Sequence, residues 1–275
     1  MKIWKPGEKE RSNTPLVLIY GETNVGKSTS SLASLPEPIL DIVTEPRDPE
    51  IALRAIGRKV DVTFVMIEDV EEVSDFLGEK SLELKQGKFP YKSILLDSGS
   101  YLLNVAMMMK AEAQTAEAGV FKSRQKVGGV VVEKFERPFI DETRLDQSAW
   151  GAIGRHMMRI TALLGEFARN GVVAVMTALL DKEPKWDKTG RLKAAPAFAG
   201  KYYAVNCPSY FDLIGLVTTR TDEKGEVVYP PLVSFGSPND DFVAKWTGPR
   251  VNPVGVLDFK KILAVFRKGE GKGDV

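Results

Sequence analysis

Residues 21–28 are the feature that most constrains the fold of this chain. They follow an apolar run at 15–20 and read Gly-Glu-Thr-Asn-Val-Gly-Lys-Ser. This segment satisfies the pattern G-x-x-x-x-G-K-[ST] at every fixed position, and its context predicts a strand, a tight loop and a helix. Glycines at both ends let consecutive backbone N–H groups curl around a phosphate chain, toward which the helix directs its positive dipole end. The sequence therefore predicts an α/β protein that binds a nucleoside triphosphate.

The individual residues of this loop have expected roles. Lys27 is expected to reach the β and γ phosphates as a point charge, and the Ser28 hydroxyl to ligate Mg²⁺. ATP and Mg²⁺ are therefore the predicted cofactors. The predicted nucleotide-binding residues are Gly21, Glu22, Thr23, Asn24, Val25, Gly26, Lys27, Ser28 and Thr29. The alternative is a chance match in a glycine-containing turn, which the strand in front and the helix start behind disfavour.

The composition narrows the class of protein. A chain of 275 residues that is 43% apolar can bury a full core, and one α/β domain is expected. The formal net charge is +1, so any polyanion would be bound by local basic patches. With one Cys and one His, a zinc site and an internal disulfide framework are excluded. No apolar run reaches signal-peptide or membrane length, which predicts a cytoplasmic protein without a membrane partner.

Strand and helix patterns alternate along the chain. The predicted strands are 15–20, 39–43, 62–67, 91–97, 171–177, 211–219 and 227–233. The predicted helices are 28–35, 70–84, 100–118, 150–169 and 256–266. This alternation predicts a mostly parallel central sheet flanked by helices, with added antiparallel strands and hairpins toward the C-terminus. Hairpin turns are predicted at 187–190 and 222–225.

Acidic residues near two strand ends are predicted to complete the site. Asp97 ends an apolar strand, an arrangement that holds Mg²⁺ through its water shell. The alternative role for Asp97 is an ordinary helix cap. Glu45 follows the second strand, where a carboxylate could orient and polarise the attacking water. Asp41, inside that strand, is the second choice for this role.

The order of these motifs resembles the ATPase core of the RecA-type recombinases. From about residue 15 to 261 the chain is similar to phage-type AAA ATPases that are minimal RecA cores, a family that includes single-strand annealing and recombination proteins. The likeness is carried by Tyr-Lys-Ser-Ile-Leu-Leu-Asp-Ser at 91–98, Ser-Ala-Trp-Gly at 148–151, and Phe-Ala-Gly-Lys at 198–201 leading to Phe-Asp-Leu-Ile-Gly at 211–215. The resemblance implies a RecA-like P-loop core.

The resemblance also implies catalytic roles. It assigns Glu45 as the catalytic glutamate beside Lys27, Asp97 as the Mg²⁺-associated acid, and Thr177 as the γ-phosphate sensor at the end of the fifth strand. Lys201 is a candidate cation for the γ phosphate, in cis or from a neighbouring subunit, and a solvated loop lysine is the alternative. Relatives place an amide or a histidine near that strand end, whereas this chain continues Ala-Leu-Leu at 178–180. Weak coupling between ATP state and DNA binding is therefore expected.

A basic insertion is the predicted nucleic-acid site. Residues 120–129 combine an aromatic side chain, cations and glycines, which can neutralise phosphates and stack on a base. The predicted single-stranded DNA contacts are Phe121, Lys122, Arg124 and Lys126. A solvated basic loop or a subunit contact is the alternative. The hairpin predicted at 181–198 also combines cations with an aromatic side chain, and it is a second candidate for binding DNA. Its residues of this kind are Lys185, Trp186, Lys188, Arg191 and Lys193.

Together these features predict a slow or DNA-stimulated ATPase of DNA recombination or single-strand annealing. It would bind single-stranded DNA as a ring or filament. The expected location is the cytoplasm, which is that of the host if the protein is viral. Single-strand-binding and replication proteins are further candidate partners. The alternative is a nucleotide-dependent assembly or DNA-packaging motor component whose main partner is protein. A small-molecule kinase is disfavoured because no arginine-rich lid follows the Asp97 strand. The expected organisation is an N-terminal extension (1–14), an ATPase domain (15–267) with an insertion (119–147) and a hairpin (181–198), and a flexible tail (268–275).

Overall fold

The computed structural model describes residues 14–118, 121–127, 130–136, 145, 147–181, 185–186, 192–198, 201–236, 241–247 and 254–268. For residues 114–118, 121–127, 130–136, 147, 185–186, 192, 201–202 and 268 it describes the backbone alone. The predicted N-terminal extension before Thr14, the turn predicted at 187–190 and the tail after Lys268 lie outside the described residues.

The described strands are β1 (Leu16–Gly21), β2 (Ile39–Val43), β3 (Val62–Met66), β4 (Ser93–Asp97), β5 (Phe121–Val127), β6 (Val130–Glu136), β7 (Val173–Leu179), β8 (Lys185–Trp186), β9 (Leu192–Lys193), β10 (Leu213–Thr221), β11 (Val227–Ser234), β12 (Lys245–Trp246) and β13 (Val254–Val256). Within the described residues, nine of these strands form one mixed sheet in the order β13-β11-β10-β1-β7-β4-β2-β3, with β12 also paired to β10. The run from β10 to β3 is parallel. Strands β11, β12 and β13 are antiparallel additions. The prediction of a mostly parallel sheet with antiparallel strands toward the C-terminus is confirmed.

The described helices are α1 (Lys27–Ser34), α2 (Glu50–Ile56), α3 (Val70–Lys85), α4 (Gly99–Ala118), α5 (Gln147–Arg169), α6 (Lys201–Tyr210) and α7 (Phe259–Lys268). They cover both faces of the sheet. Each strand supplies side chains to both faces, because successive residues of a strand point in opposite directions. On one face, Leu18 of β1 and Leu96 of β4 pack in a core with α3, α4, α5 and α6. On the other face, Ile19 of β1 and Leu95 of β4 pack in a second core with α1 and α7.

This alternation decides where the polar residues of the strands lie. Asp97 is two residues from Leu95 in β4, and Asp41 and Leu95 are register partners. Thr177 is two residues from Val175, which belongs to the same core as Leu95. All three polar residues therefore lie on the α1 face, at or near the carboxyl ends of their strands.

Several predicted boundaries need correction. The strand predicted at 91–97 begins at Ser93, and the strand predicted at 171–177 runs from Val173 to Leu179, so Thr177 is not its last residue. The helix predicted at 256–266 begins at Phe259, because Val256 belongs to β13. Helices α2 and α6 were not predicted.

Two hairpins were predicted outside the parallel core. Strands β10 and β11 pair in antiparallel fashion around the turn predicted at 222–225, in which Gly225 donates its N–H to the Asp222 carbonyl at 3.0 Å. Strands β8 and β9 also pair in antiparallel fashion. Within the predicted 119–147 insertion, β5 and β6 form a separate two-stranded sheet. None of the helices among the described residues combines the length and the apolar character needed to cross a membrane.

Candidate functional site

A cleft of about 510 Å³ opens at the carboxyl ends of β1, β2, β4 and β7. Its volume lies within the range of small-molecule sites, roughly 300–1,000 Å³. Ligands of open α/β sheets bind at this edge, in the crevice outside the strand ends. The predicted site residues that line it are Thr23, Asn24, Gly26, Lys27, Ser28, Thr29, Glu45, Asp97 and Thr177. Residues predicted from four separate segments of the sequence therefore line one cleft.

The 21–28 loop has the backbone conformation that its glycines favour. It leaves β1 at Gly21 and enters α1 at Lys27, and both Asn24 (φ 63°) and Gly26 (φ 90°) are left-handed. A Cβ atom at Gly26 would lie 2.5 Å from Cε1 of Tyr229. Gly26 is also the N-cap of α1 and has no side chain to cap the first turn. The N–H groups of that turn remain donors for an anion at the helix end.

The Lys27 side chain lies inside the loop. Its ammonium donates to the carbonyl oxygens of Gly21 at 2.9 Å and Glu22 at 2.7 Å. Burial lowers the pKa of Lys27 to about 8, and the charges of Asp97 and Glu45 act in the opposite direction. A phosphate group in the cleft would supply further negative charge beside this ammonium.

Asp97 is buried at the end of β4 and accepts hydrogen bonds on both carboxylate oxygens. Thr177 donates to Oδ1 at 2.5 Å, and Arg47 donates to Oδ2. The Thr177 hydroxyl has one proton, which this bond uses. In this arrangement Thr177 orients Asp97, whereas the resemblance implied a direct contact with the γ phosphate.

Glu45 lies two residues after β2, at the mouth of the cleft. Its Oε1 accepts a hydrogen bond from the Ser98 hydroxyl at 3.0 Å, and its Oε2 pairs with Nε of Arg47 at 3.3 Å. Thr44 ties the end of β2 to the end of β4. Its hydroxyl accepts a hydrogen bond from the Ser98 N–H at 2.9 Å, and its own N–H donates to the Asp97 carbonyl oxygen at 2.8 Å. Glu45 and Asp97 are therefore held side by side.

Asp41 lies deeper in the same cleft. It is 2% exposed, and its Oδ1 has no hydrogen-bond partner. Burial, reinforced by the charge of Asp97, raises the pKa of Asp41 well above its usual value. The shift favours the protonated form of Asp41, and a carboxyl group that retains its proton is a poor general base.

Arg47 is a site residue that the sequence did not predict. One of its terminal nitrogens, Nη2, donates to both Ser28 Oγ at 2.9 Å and Asp97 Oδ2. Mg²⁺ binds hard oxygen ligands. The hydroxyl of Ser28 and the carboxylate of Asp97 are ligands of this kind, so both residues fit the predicted metal. The signal in the sequence was an arginine two residues after Glu45, in a loop that leaves a buried strand.

Tyr229 was also missed, because it lies in β11, far along the chain from the 21–28 loop. Its ring covers Gly26 and its hydroxyl is 3.4 Å from the Asn24 carbonyl oxygen. The aromatic ring therefore forms one wall of the cleft beside the loop.

The predicted residues that remain are not among the described residues that line the cleft. Lys201 is the first residue of α6, and only its backbone is described. Phe121, Lys122, Arg124 and Lys126 occupy β5, opposite Glu136, Phe135, Glu133 and Val131 of β6. Lys185 and Trp186 form β8, Lys193 pairs with Lys185 across the hairpin, and Lys188 and Arg191 lie outside the described residues.

In comparisons with known proteins, no family model and no curated protein matches this chain. Its function is therefore inferred from the site residues and their geometry.

Proposed function

We propose that this protein is a Mg²⁺-dependent ATPase with a RecA-like core that acts on single-stranded DNA, as an oligomer, in recombination or strand annealing. One observation carries the nucleotide part of the proposal. Lys27 and Ser28 of α1, Asp97 of β4 and Glu45 after β2 line a single cleft at the carboxyl edge of the sheet. This combination of phosphate-binding loop, metal-holding acid and second carboxylate matches the parts that phosphoryl transfer to water requires.

The loop and Lys27 would bind the phosphates. Moving the Lys27 ammonium from the Gly21 and Glu22 carbonyls to a phosphate would exchange neutral acceptors for charged ones, which strengthens each hydrogen bond. Ser28 and Asp97 would hold Mg²⁺, which would neutralise negative charge that develops on the phosphates. Among the described residues, no group of three or more His, Cys, Asp or Glu could hold a metal ion alone. Phosphate oxygens and water would supply further oxygen ligands, as Mg²⁺ prefers.

Glu45 would act on the attacking water. Its carboxylate accepts the water proton as the water oxygen bonds to the γ phosphorus, while the bond from that phosphorus to the β–γ bridging oxygen breaks. ADP and inorganic phosphate leave. The Ser98 hydroxyl, bonded to Oε1 of Glu45, keeps the carboxylate oriented toward the cleft.

The DNA part of the proposal is supported by the resemblance and by the composition of β5. Lys122, Arg124 and Lys126 occupy alternate positions of that strand, and such positions share one face of a strand. A two-stranded hairpin with cations along one face suits a polyphosphate backbone. Arg124 is opposite Glu133, so Lys122 and Lys126 are the stronger candidates.

The first test is phosphate release with and without single-stranded DNA. Glu45→Gln is expected to retain nucleotide binding and to lower turnover by at least about 100-fold, the contribution of a positioned base. Glu50→Gln is the matched control, since Glu50 is an exposed acid on α2 outside the cleft lining. Turnover by Glu45→Gln at the wild-type rate would remove Glu45 from this role.

The second test is a gel-shift titration with labelled single-stranded and duplex DNA, with and without ATP. Neutralising Lys122, Arg124 and Lys126 together is expected to weaken single-strand binding and to reduce the salt slope by about two, near 0.7 for each of three lost phosphate contacts. If the triple variant keeps the wild-type salt slope, DNA binds elsewhere, with the β8–β9 hairpin the next candidate. If neither form of DNA binds, a protein partner is favoured.

A further inference from the structure

Arg47 bridges three groups that belong to three different parts of the fold. Its Nη2 contacts Ser28 Oγ on α1 and Asp97 Oδ2 on β4, and its Nε pairs with Glu45 Oε2 in the loop after β2. A single guanidinium thus joins both proposed Mg²⁺ ligands to the proposed catalytic carboxylate. Its planar array of donors can make such contacts at once, which a lysine ammonium does less well.

We propose that Arg47 is a positioning residue that competes with Mg²⁺ for Ser28 and Asp97, so that the entry of metal displaces Arg47 and releases Glu45. This inference rests on the proposed function and adds a step to it. Ser28 Oγ and Asp97 Oδ2 both contact Nη2 of Arg47. A guanidinium and a hydrated metal ion cannot both lie between these two oxygens, because there is no room for both and because like charges repel.

Arg47 is placed to leave this position. Its side chain is 41% exposed, whereas that of Asp97 is 4% exposed. Arg47 lies in the loop between β2 and α2, and α2 has no buried residue. The fixed partner is the acid on the sheet and the movable one is the arginine on the loop.

Departure of Arg47 would have a direct consequence for Glu45. The ion pair between Nε of Arg47 and Oε2 of Glu45 occupies one of the two oxygens of that carboxylate. Without Arg47, Oε2 becomes available while Ser98 still holds Oε1. Metal entry and activation of the carboxylate would therefore be linked through one side chain.

The experiment uses Mg²⁺ alone as the probe and thermal unfolding of the full chain as the readout. Arg47→Gln removes the positive charge beside two carboxylates, and its half-saturating Mg²⁺ concentration is expected to be about tenfold lower than that of the wild type. Arg58→Gln is the matched control, because Arg58 is as exposed as Arg47 and neither Arg58 nor its partner Glu37 lines the cleft. Its Mg²⁺ response is expected to equal that of the wild type.

Two further variants locate the effect and guard against misfolding. Arg47→Lys keeps a cation that cannot bridge all three groups, and its Mg²⁺ response is expected to be intermediate. In Arg47→Gln combined with Asp97→Asn, the gain in Mg²⁺ response should disappear. Equal Mg²⁺ responses of the wild type and Arg47→Gln, or a gain that survives Asp97→Asn, would overturn the competition.

A fluorescent ATP analogue, titrated at saturating Mg²⁺, separates the two proposals. If the wild type binds the analogue but Arg47→Gln leaves the metal response unchanged, only the competition is wrong. If the wild type does not bind the analogue, the proposed function is wrong, and the response to metal alone still decides whether Arg47 and Mg²⁺ exclude each other.

Discussion

Replacement of Gly26 by alanine tests the conformation of the 21–28 loop. Gly26 has φ 90°, which L-residues with a Cβ rarely adopt. The ring of Tyr229 also occupies the space that a Cβ at position 26 would need. Gly26→Ala would therefore introduce backbone strain and a steric conflict at once. The two effects can be separated because another glycine of the chain shows only the first.

The magnitude follows from the geometry. A Cβ at position 26 would lie 2.5 Å from Cε1 of Tyr229, so the ring must move by about 1 Å to reach ordinary carbon contact near 3.5 Å. Left-handed backbone costs a residue with a Cβ about 1–2 kcal/mol. Displacing a half-exposed ring adds about 1 kcal/mol, the low end of the cost of overpacking. Gly26→Ala is thus expected to lower the free energy of unfolding by about 2–3 kcal/mol.

The assay is chemical denaturation of single and double variants. Gly57→Ala is the matched control, since Gly57 has φ 70° and a Cβ there meets nothing within 4 Å. It should cost only the backbone strain, about 1–2 kcal/mol. Gly26→Ala in a Tyr229→Ala background should cost the same as Gly57→Ala, which gives a coupling of about 1 kcal/mol between positions 26 and 229. A Gly26→Ala variant as stable as the wild type would refute the loop conformation.

Three further predictions concern buried polar groups of the cleft. Because the pKa of Asp41 is raised in the native state, that state binds more protons than the unfolded state at pH values above the usual pKa of 3.8. The free energy of unfolding of the wild type should therefore fall as the pH rises, by up to about 1.4 kcal/mol per pH unit. Asp41→Asn is expected to lack this contribution, so its stability relative to the wild type should increase with pH in denaturation at pH 4.5, 6 and 7.5; a difference independent of pH would contradict it. The pKa of Lys27, lowered to about 8 by burial, predicts that the dissociation constant for an ATP analogue rises above that pH by up to about tenfold per unit, because the neutral amine loses its attraction for phosphate; a constant affinity from pH 7 to 9.5 would argue against this role. Thr177→Val leaves Asp97 Oδ1 without its donor and should cost about 1–3 kcal/mol in unfolding free energy, whereas Thr177→Ser should cost less, and equal costs would show that the hydroxyl is not what matters.

The parallel core was predictable because its strands are continuous apolar runs. β1, β2, β4 and β7 are almost wholly buried, so every position favours an apolar residue and the run marks the strand. Helix α5 was predictable for a related reason, since Ile153, Met157, Ile160 and Leu164 recur at helical spacing.

The elements that were missed have weak local signals. Helix α2 has seven residues and buries none of them, so no apolar stripe marks it. Helix α6 contains Pro208, which in a sequence indicates a helix boundary. Strands β12 and β13 have two and three residues and are held by pairing with β10 and β11, which only the folded sheet supplies.

The same distinction applies to the site. Motif spacing identified Lys27, Ser28 and Asp97, because these residues follow or end strands whose positions the apolar pattern marks. The bridge from Arg47 to Ser28 and Asp97 depends on bringing together segments 19 and 50 residues apart, and no local pattern encodes it. The hydrogen bond from Thr177 to Asp97 likewise depends on the adjacency of β4 and β7.

The most direct test of a nucleotide site at the 21–28 loop is calorimetric titration of Mg²⁺–ATP into the wild type and Lys27→Ala at pH 7. The site geometry predicts saturable binding to the wild type and a loss of at least about 30-fold in Lys27→Ala, since a charge-assisted contact to phosphate contributes about 2 kcal/mol. Lys85→Ala, which removes a surface lysine paired with Glu166, should bind like the wild type. Absence of binding to the wild type, or equal affinity in Lys27→Ala, would contradict a nucleotide site at this loop.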